Sequence, residues 1–341
     1  NNVADLPVLL QQVDFVFHLA GVNRPQNPAD FTTGNADLTH ALAQAIAAVA
    51  DATGRKIPVI YTSSIQAARD NPYGQSKHQA EQALQAVASS HQVPVHIFRL
   101  PNVFGKWSKP NYNSAVATFC HNIARDLPIQ VNDSTAALTL VYVDDVIERF
   151  IQLMDGADGA FDAEGFATVA PQYTTTVGEL ARLIQAFKDS RNTLLTERVG
   201  TGLVRALYAT YVSYLPVESF TYAVPQHGDP RGVFVEMLKT QDSGQFSFFT
   251  AHPGITRGGH YHHTKTEKFL VIKGQARFKF RHMQTGERHE LCTSGNKAEI
   301  VETVPGWTHD ITNIGSDEMI VMLWANEIFD RQRPDTYACP L

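Results

Sequence analysis

The stretch VIYTSSIQAARDNPYGQSK, residues 59 to 77, decides how the chain is read. Val59, Ile60 and Tyr61 form a β-branched and aromatic run that predicts a buried strand, and Thr62, Ser63 and Ser64 sit where it ends. Tyr73 and Lys77 follow at a helix start, four residues apart, so both side chains share one helical face, with Lys77 about one turn beyond Tyr73. A free phenol, with a pKa of about 10, is a poor proton donor or acceptor at neutral pH. A neighbouring ammonium favours the phenolate and makes Tyr73 usable as a general acid or base. A strand-end hydroxyl such as Ser64 then holds a substrate carbonyl while hydride arrives from a nicotinamide. Alone, Tyr, three residues, Lys carries little: with 11 tyrosines in the chain, a surface Tyr and a solvated Lys explain it as well.

The flanking chain adds the weight. Upstream, residues 13 to 19 read as a buried strand, and Ala20, Gly21 and Val22 form a small-residue turn against which a cofactor can lie. A nucleotide-binding sheet starts earlier, with a Gly-rich turn that receives a pyrophosphate, and none precedes Val13, so the chain is expected to lack its true N-terminus. Asn35 lies in a probable helix, and residues 38 to 50 are alanine-rich and apolar at helical spacing. Downstream come a helix over about 76 to 89, a strand over 95 to 99 and the turn LPNVFGKW. Strands alternating with helices of this length predict an α/β, doubly wound parallel sheet. Further on, Thr176 with Glu179 reads as a capping box before VGELARLIQAFKDS, and LVRALYATYVSYL carries an aromatic stripe read as core packing or a seam that closes this first domain.

At 341 residues the chain is long enough for two domains that each bury a core. A net charge of -6 gives no electrostatic case for nucleic acid or an anionic membrane. No apolar run approaches the roughly 20 residues that span a bilayer. Cys120, Cys292 and Cys339 show no metal or disulfide spacing, which suits a reducing, cytoplasmic compartment.

Residues 1 to about 216 resemble the extended short-chain dehydrogenase/reductases that act on nucleotide sugars, a Rossmann-like fold. The resemblance rests on His18-Leu19-Ala20-Gly21, Asn35, Ser63-Ser64, Tyr73-Gly74-Gln75-Ser76-Lys77, Arg99-Leu100-Pro101-Asn102-Val103-Phe104-Gly105 and Tyr142-Val143-Asp144-Asp145-Val146 in order. It implies that Tyr73 is the catalytic acid, that Lys77 binds the nicotinamide ribose and tunes Tyr73, and that Ser64 polarises the carbonyl, with Ser63 as the alternative. It further implies that Leu19, Ala20 and Gly21 lie against the cofactor and Asn102 at the nucleotide sugar. Asp144 and Asp145 would help close the substrate region, or either is a helix cap. NADPH is implied by the family and not by residues, since the Gly-rich turn that distinguishes NADP from NAD is missing.

After Leu215-Pro216 the composition changes to short β-type runs punctuated by Gly, Pro and Asp, and seven of the 14 histidines fall between His252 and His309. Residues 217 to 341 are expected to form an all-β domain, a barrel or sandwich. In PGITRGGHYHHTKTEKFLVIKG, His260 and His262 alternate along a strand, Glu267 can return from the next, and His309 can add a fourth ligand. Imidazoles with one carboxylate suit zinc, iron, manganese or nickel better than calcium or magnesium.

Gly254, five residues, His260, one, His262, four, Glu267, six, Gly274 resembles the first cupin motif throughout, and Gly306, two residues, His309, three, Asn313 part of the second. The run around Asp229, Arg231 and Glu236, and Arg257-Gly258-Gly259-His260, resemble motifs of nucleotide-sugar epimerases, in which Arg231 and Arg257 would pair with diphosphate oxygens. In this order the two halves resemble the bifunctional capsular-polysaccharide enzymes that make UDP-N-acetyl-6-deoxy-L-talosamine. That resemblance implies a cupin domain that epimerises a UDP-linked 4-keto sugar at C3, and a reductase domain that reduces its C4 ketone with NADPH. It also implies a divalent metal, zinc first, and a homodimer. His263 or Lys268 is then the epimerisation base, and the metal acts on the enolate or holds the barrel together. In the alternative, only the reductase turns over and the cupin is a metal-stabilised binding or dimerising module.

Overall fold

β-Branched runs separated by alanine- and leucine-rich amphipathic stretches dictate the alternation of the first half. The computed structural model describes all residues except 1–2, 225–226, 230–231, 235–237, 241–243 and 328–331. Its chain divides into two compact units: Asn1–Val103 with Thr139–Tyr173, and Phe104–Leu138 with Thr174–Leu341.

In the first unit β1 (Val16–His18), β2 (Val59–Ser64) and β3 (Val95–Leu100) pair in parallel in that order, connected through helices α1 (Leu38–Thr53) and α2 (Pro72–His91). Leu42, Ile46 and Val49 of α1 and Ala80, Leu84 and Val87 of α2 bury against Val59, Tyr61 and Ile97 on one face of the sheet. Ile60 and Phe98 point to the other face and bury with Val146, Phe150 and Leu153 of α3 (Val143–Met154). Helices on both faces make this the doubly wound sheet expected. Asp144 and Asp145 lie in the first turn of α3, whose N-cap is Tyr142, so neither aspartate is the cap.

Helix α2 starts earlier than the apolar pattern suggests. Pro72 is pre-set for the first helical position, and the Asn71 side chain accepts from Gly74 N at 2.9 Å. Gly74 is required by close approach: a Cβ there would lie 2.2 Å from the carbonyl oxygen of Gln66.

The second unit carries two antiparallel five-stranded sheets. Its strands are β4 (Thr221–Ala223), β5 (Gln245–Ala251), β6 (Thr256–Tyr261), β7 (Glu267–Lys273), β8 (Gln275–His282), β9 (Arg288–Ser294), β10 (Glu299–Glu302), β11 (Trp307–Asn313), β12 (Met319–Ala325) and β13 (Tyr337–Ala338). One sheet runs β5-β12-β7-β10-β4 and the other β9-β8-β11-β6-β13. The expected cupin barrel therefore takes the form of two sheets, and no ladder closes them into one among the described residues. Phe269, Phe278, Phe280 and Trp307 are buried in this unit, where Phe220 meets the rings of Phe280 and Trp307 edge-on.

Helices α4 (Val177–Thr193) and α5 (Gly202–Ser213) belong to this second unit, which differs from a single boundary near residue 216. The reason is physical. Tyr208 packs edge-on to Phe187 at 5.2 Å and its phenol reaches Glu302 at 3.4 Å, while Arg191 of α4 ion-pairs with Glu302 of β10. The aromatic stripe is thus a helix seam, as expected, but one that serves the β-rich region. Thr176 accepts from Glu179 N at 3.1 Å as N-cap, whereas the Glu179 side chain turns to Arg182 instead of closing the capping box.

Candidate functional site

In the first unit, the end of β2 carries Ser64 and the first turns of α2 carry Tyr73 and Lys77. The Ser64 hydroxyl, which accepts from Gln66 N at 3.2 Å, neighbours the Tyr73 phenol, itself half-buried beside Phe31. Lys77 is buried; its Nζ donates to Thr62 O at 2.8 Å and to the Tyr61 hydroxyl at 3.2 Å, lying over that ring. Gly21 closes on the same point: a Cβ there would stand 3.3 Å from Lys77 Nζ. Leu19, Ala20 and Gly21 are exposed, so the turn expected to meet a cofactor is open beside the ammonium. Asn35, in a π-helical turn (Thr32–Asp37), fixes this turn with Val22 N donating to its Oδ1 at 2.7 Å and its Nδ2 donating to Val22 O at 2.9 Å. Ser63 does not face the site, because its hydroxyl donates to the buried Glu81 at 2.5 Å.

The electrostatics differ from expectation in one respect. Burial pushes the Tyr73 phenol up, opposed only by the Ser64 hydrogen bond, so the tyrosine is held protonated instead of drawn toward phenolate. Burial likewise pushes Lys77 down to about 8, with the Glu81 carboxylate opposing it. His18, buried near Lys77, is pushed down to about 4 by burial and then by that ammonium. A phenol kept protonated beside a hydroxyl has a proton to give to a developing alkoxide.

In the second unit His260, His262, Glu267 and His309 converge, each offering a ligand atom within 4.8 Å of the others. His260 and His309 are cross-strand partners on β6 and β11 of one sheet, His262 follows β6, and Glu267 opens β7 of the other. A bulge between Gly258 and His260 aims the first histidine. Gly258 has φ +102, and a Cβ there would sit 2.9 Å from His309 O. Burial pushes His260 down to about 4, assisted by the His309 and His262 imidazoles, and burial also lowers His309. Burial alone would raise the Glu267 carboxyl; the adjoining His262 and His309 imidazoles outweigh it and hold it well below the usual range.

The set fits a cation on a direct observation. His262 Nδ1 lies 2.5 Å from the Asp335 carbonyl, which can only accept, so Nδ1 carries the proton. In neutral His262 the Nε2 lone pair then faces the Glu267 carboxylate at 3.1 Å, acceptor against acceptor. A second proton or a bound cation must relieve that contact. Both ring nitrogens of buried His309 also lack a hydrogen-bond partner. Three imidazoles and one carboxylate are zinc-type donors.

The remaining expected residues are placed as follows. Asn102 is exposed and its Nδ2 donates to Thr139 O at 3.1 Å; Arg257 is exposed, over the Phe249 ring. Arg231 and Glu236 lie outside the described residues. His263 stands beside the cluster, its Nδ1 3.2 Å from Lys106 Nζ and its ring edge-on to Tyr261 and Tyr337.

Lys268 is a correction to the expectation of a base. It alternates with Glu267 along β7 and is buried in an ion pair with Glu302 and a 2.9 Å hydrogen bond to the Tyr222 hydroxyl. Burial alone would lower this ammonium, but the Glu302 carboxylate outweighs it and holds the pKa above the ordinary value, which is the wrong direction for a base.

Sequence reasoning missed Lys106, Glu81 and Asp335. The Asp335 carboxylate accepts from the backbone N–H groups of His263, Thr264 and Lys265 at 2.8, 2.6 and 2.6 Å, pinning the loop that follows His262. Nothing in PDTY announces this, because the partner lies about seventy residues upstream.

Comparison with known proteins matches residues 2–164 to the NAD dependent epimerase/dehydratase family and residues 227–337 to the polysaccharide biosynthesis C-terminal domain. The chain is 64% identical over 340 residues to the UDP-2-acetamido-2,6-beta-L-arabino-hexul-4-ose reductase of Pseudomonas aeruginosa, covering 99% of this chain and 89% of that protein. It is similar to the crystal structure of the capsular polysaccharide assembling protein CapF from Staphylococcus aureus, with 41% identity and a TM-score of 0.63 over 100% of this chain and 91% of that one. It is also similar to CapF with the inhibitor 3-isopropenyl-tropolone, with 38% identity and a TM-score of 0.58 over 100% and 90% of the two chains. Among the described residues no helix is long and apolar enough to cross a membrane.

Proposed function

This chain belongs to the family of the UDP-2-acetamido-2,6-beta-L-arabino-hexul-4-ose reductase, and from that premise we propose that it reduces the C4 ketone of a UDP-linked 2-acetamido-2,6-dideoxy-4-hexulose with NADPH. The observation that supports this reading is the placement of Ser64 at the end of β2 and of Tyr73 and Lys77 on the first turns of α2, with Lys77 beside the open turn at Gly21. NADPH, when bound, supplies the hydride. Ser64 and Tyr73 hold the C4 oxygen between two hydroxyls, and Tyr73, kept protonated by burial, delivers its proton to that oxygen. Lys77 binds the nicotinamide ribose, with Leu19, Ala20 and Gly21 against the cofactor, and Asn102 serves the nucleotide sugar.

The proposal extends to the second unit, which acts on the same sugar at C3. The C4 carbonyl acidifies the C3 hydrogen, so a base removes it and an acid returns one to the opposite face. His263 is the base, since it lies outside the donor set and Lys268 is held as an ion pair. Zinc on His260, His262, Glu267 and His309 would supply Lewis-acid stabilisation or tie the two sheets together. Arg257, and Arg231 with it, would take the diphosphate. The product is UDP-N-acetyl-6-deoxy-L-talosamine, a capsule precursor made in the cytoplasm by a homodimer.

The test is incubation of the protein with the UDP-4-keto-6-deoxy-HexNAc in D₂O, with and without NADPH, followed by NMR and mass. Deuterium at C3 without NADPH, and loss of the ketone with it, are expected. Ketone loss without C3 exchange leaves the reductase alone active, and an untouched ketone sinks the proposal.

A further inference from the structure

Tyr73, Lys77 and Glu81 recur every four residues along one face of α2, and the third is the most deeply buried of the set. A carboxylate so enclosed needs partners. Ser63 Oγ donates to its Oε1 at 2.5 Å, and Arg99 of β3 donates through Nε and a terminal nitrogen at 3.0 and 2.8 Å. Arg99 is itself fixed by Glu164 at 3.2 Å and by the Phe166 ring, 3.7 Å away. Glu81 therefore clamps β2 to β3 one residue before Ser64, the hydroxyl that bonds Tyr73.

We propose that Glu81 is a positioning residue for the Tyr73 and Lys77 pair, its buried carboxylate serving as fixed counter-charge to the Lys77 ammonium and as anchor of the strand end at Ser63. The groups around Lys77 leave Glu81 as the anion. From β2 come the Tyr61 hydroxyl and the Thr62 carbonyl, from β1 His18, and from its own helix Tyr73 and Glu81. The groups around Glu81 are Ser63, Arg99 and, at 3.4 Å, His78 Nδ1. Burial depresses Lys77 to about 8, and Glu81 is what opposes a further fall. Without it the ammonium would be lost within the neutral range.

This inference rests on reading Tyr73 and Lys77 as the reducing site, and its test is separable from that reading. Lysine ¹³C-labelled full-length protein is titrated by NMR, the Lys77 signal being assigned by its loss in Lys77→Arg. In Glu81→Gln the Lys77 midpoint is expected to fall by about one pH unit, the effect of removing one nearby opposite charge. In Glu81→Asp, a poorer match in shape that keeps the charge, it falls less. The double variant Glu81→Gln, Arg99→Gln removes the guanidinium together with its carboxylate partner and carries the same expectation if the single variant does not fold. An unmoved midpoint, or an equal fall in Glu81→Asp, overturns the proposal by assigning Glu81 to packing. Failure of the wild type to oxidise NADPH with the keto sugar overturns the reductase reading instead and leaves the titration to judge Glu81.

Discussion

The reactive groups of the parallel-sheet unit lie within a single strand, turn and helix, from Ser64 to Lys77, whereas the donors of the antiparallel unit run from His260 to His309 and come from both sheets. Their electrostatics differ as much as their construction. The first site holds a buried ammonium and a half-buried phenol, both shifted by burial toward their uncharged forms. The second buries a carboxylate among imidazoles, of which burial lowers His260 and His309, and sets the His262 Nε2 against that carboxylate at 3.1 Å. Burial thus keeps the phenol of the first site loaded with its proton and gathers donors for a positive ion in the second.

If the two sites are independent in this way, substitutions should separate them. Tyr73→Phe removes the donor hydroxyl, and kcat/KM for NADPH-dependent ketone reduction is expected to fall about 10²- to 10⁴-fold, with zinc affinity unchanged in a chelator competition. Loss of both would break the contrast. Conversely, Asp335→Ala frees the backbone of residues 263 to 265 and loosens the acceptor of His262 Nδ1, so zinc affinity should drop about 10- to 100-fold while reduction proceeds at the wild-type rate.

The Lys77 shift gives the third, smaller effect and sharpens the comparison through its sign. Below about 8 the ammonium is present in the free protein, so kcat/KM for reduction should be level there and about tenfold lower one pH unit above it. Stability moves the other way. The folded pKa, about 8, lies below the ordinary 10.5, so the unfolded chain binds more protons between them and the Lys77 contribution to stability rises with pH across that window. Comparing wild type with Lys77→Met by denaturant titration at pH 7.5 and pH 10 reads this contribution. A wild-type disadvantage that does not shrink at the higher pH contradicts the burial argument.

The same contrast explains what was legible in the sequence. Ser64, Tyr73 and Lys77 obey local rules of strand end and helical face, so spacing read with the flanking chain pointed to them, and the cupin spacing named His260, His262 and Glu267, which cluster with His309. Long-range compensation left no pattern. Glu81 looks like any helical glutamate until Arg99 and Ser63 close on it, and Lys268 looks like a base until β10 supplies Glu302. The direction of the Tyr73 shift was misjudged for a related reason, since spacing shows a neighbouring charge but not the depth of burial. Asp144 looked equally like a cap, but the helix begins at Val143, two residues sooner than that cap would set it.

The smallest expected effect tests where one unit ends and the other begins. Helix α4 is claimed for the antiparallel unit by the ion pair of Arg191 with Glu302 and by Phe187 packing edge-on to Tyr208 of α5, and its first turn is capped by the Thr176 hydroxyl. Thr176→Ala removes that acceptor from Glu179 N and should cost about 1 kcal/mol. All three tryptophans, Trp107, Trp307 and Trp324, lie in the second unit, so their fluorescence follows its unfolding alone. The denaturation midpoint read by tryptophan should therefore fall, while amide exchange across Val59–Ser64 in the parallel sheet stays as it was. If α4 instead stabilised the parallel sheet, exchange in β2 would quicken and the tryptophan transition would hold still.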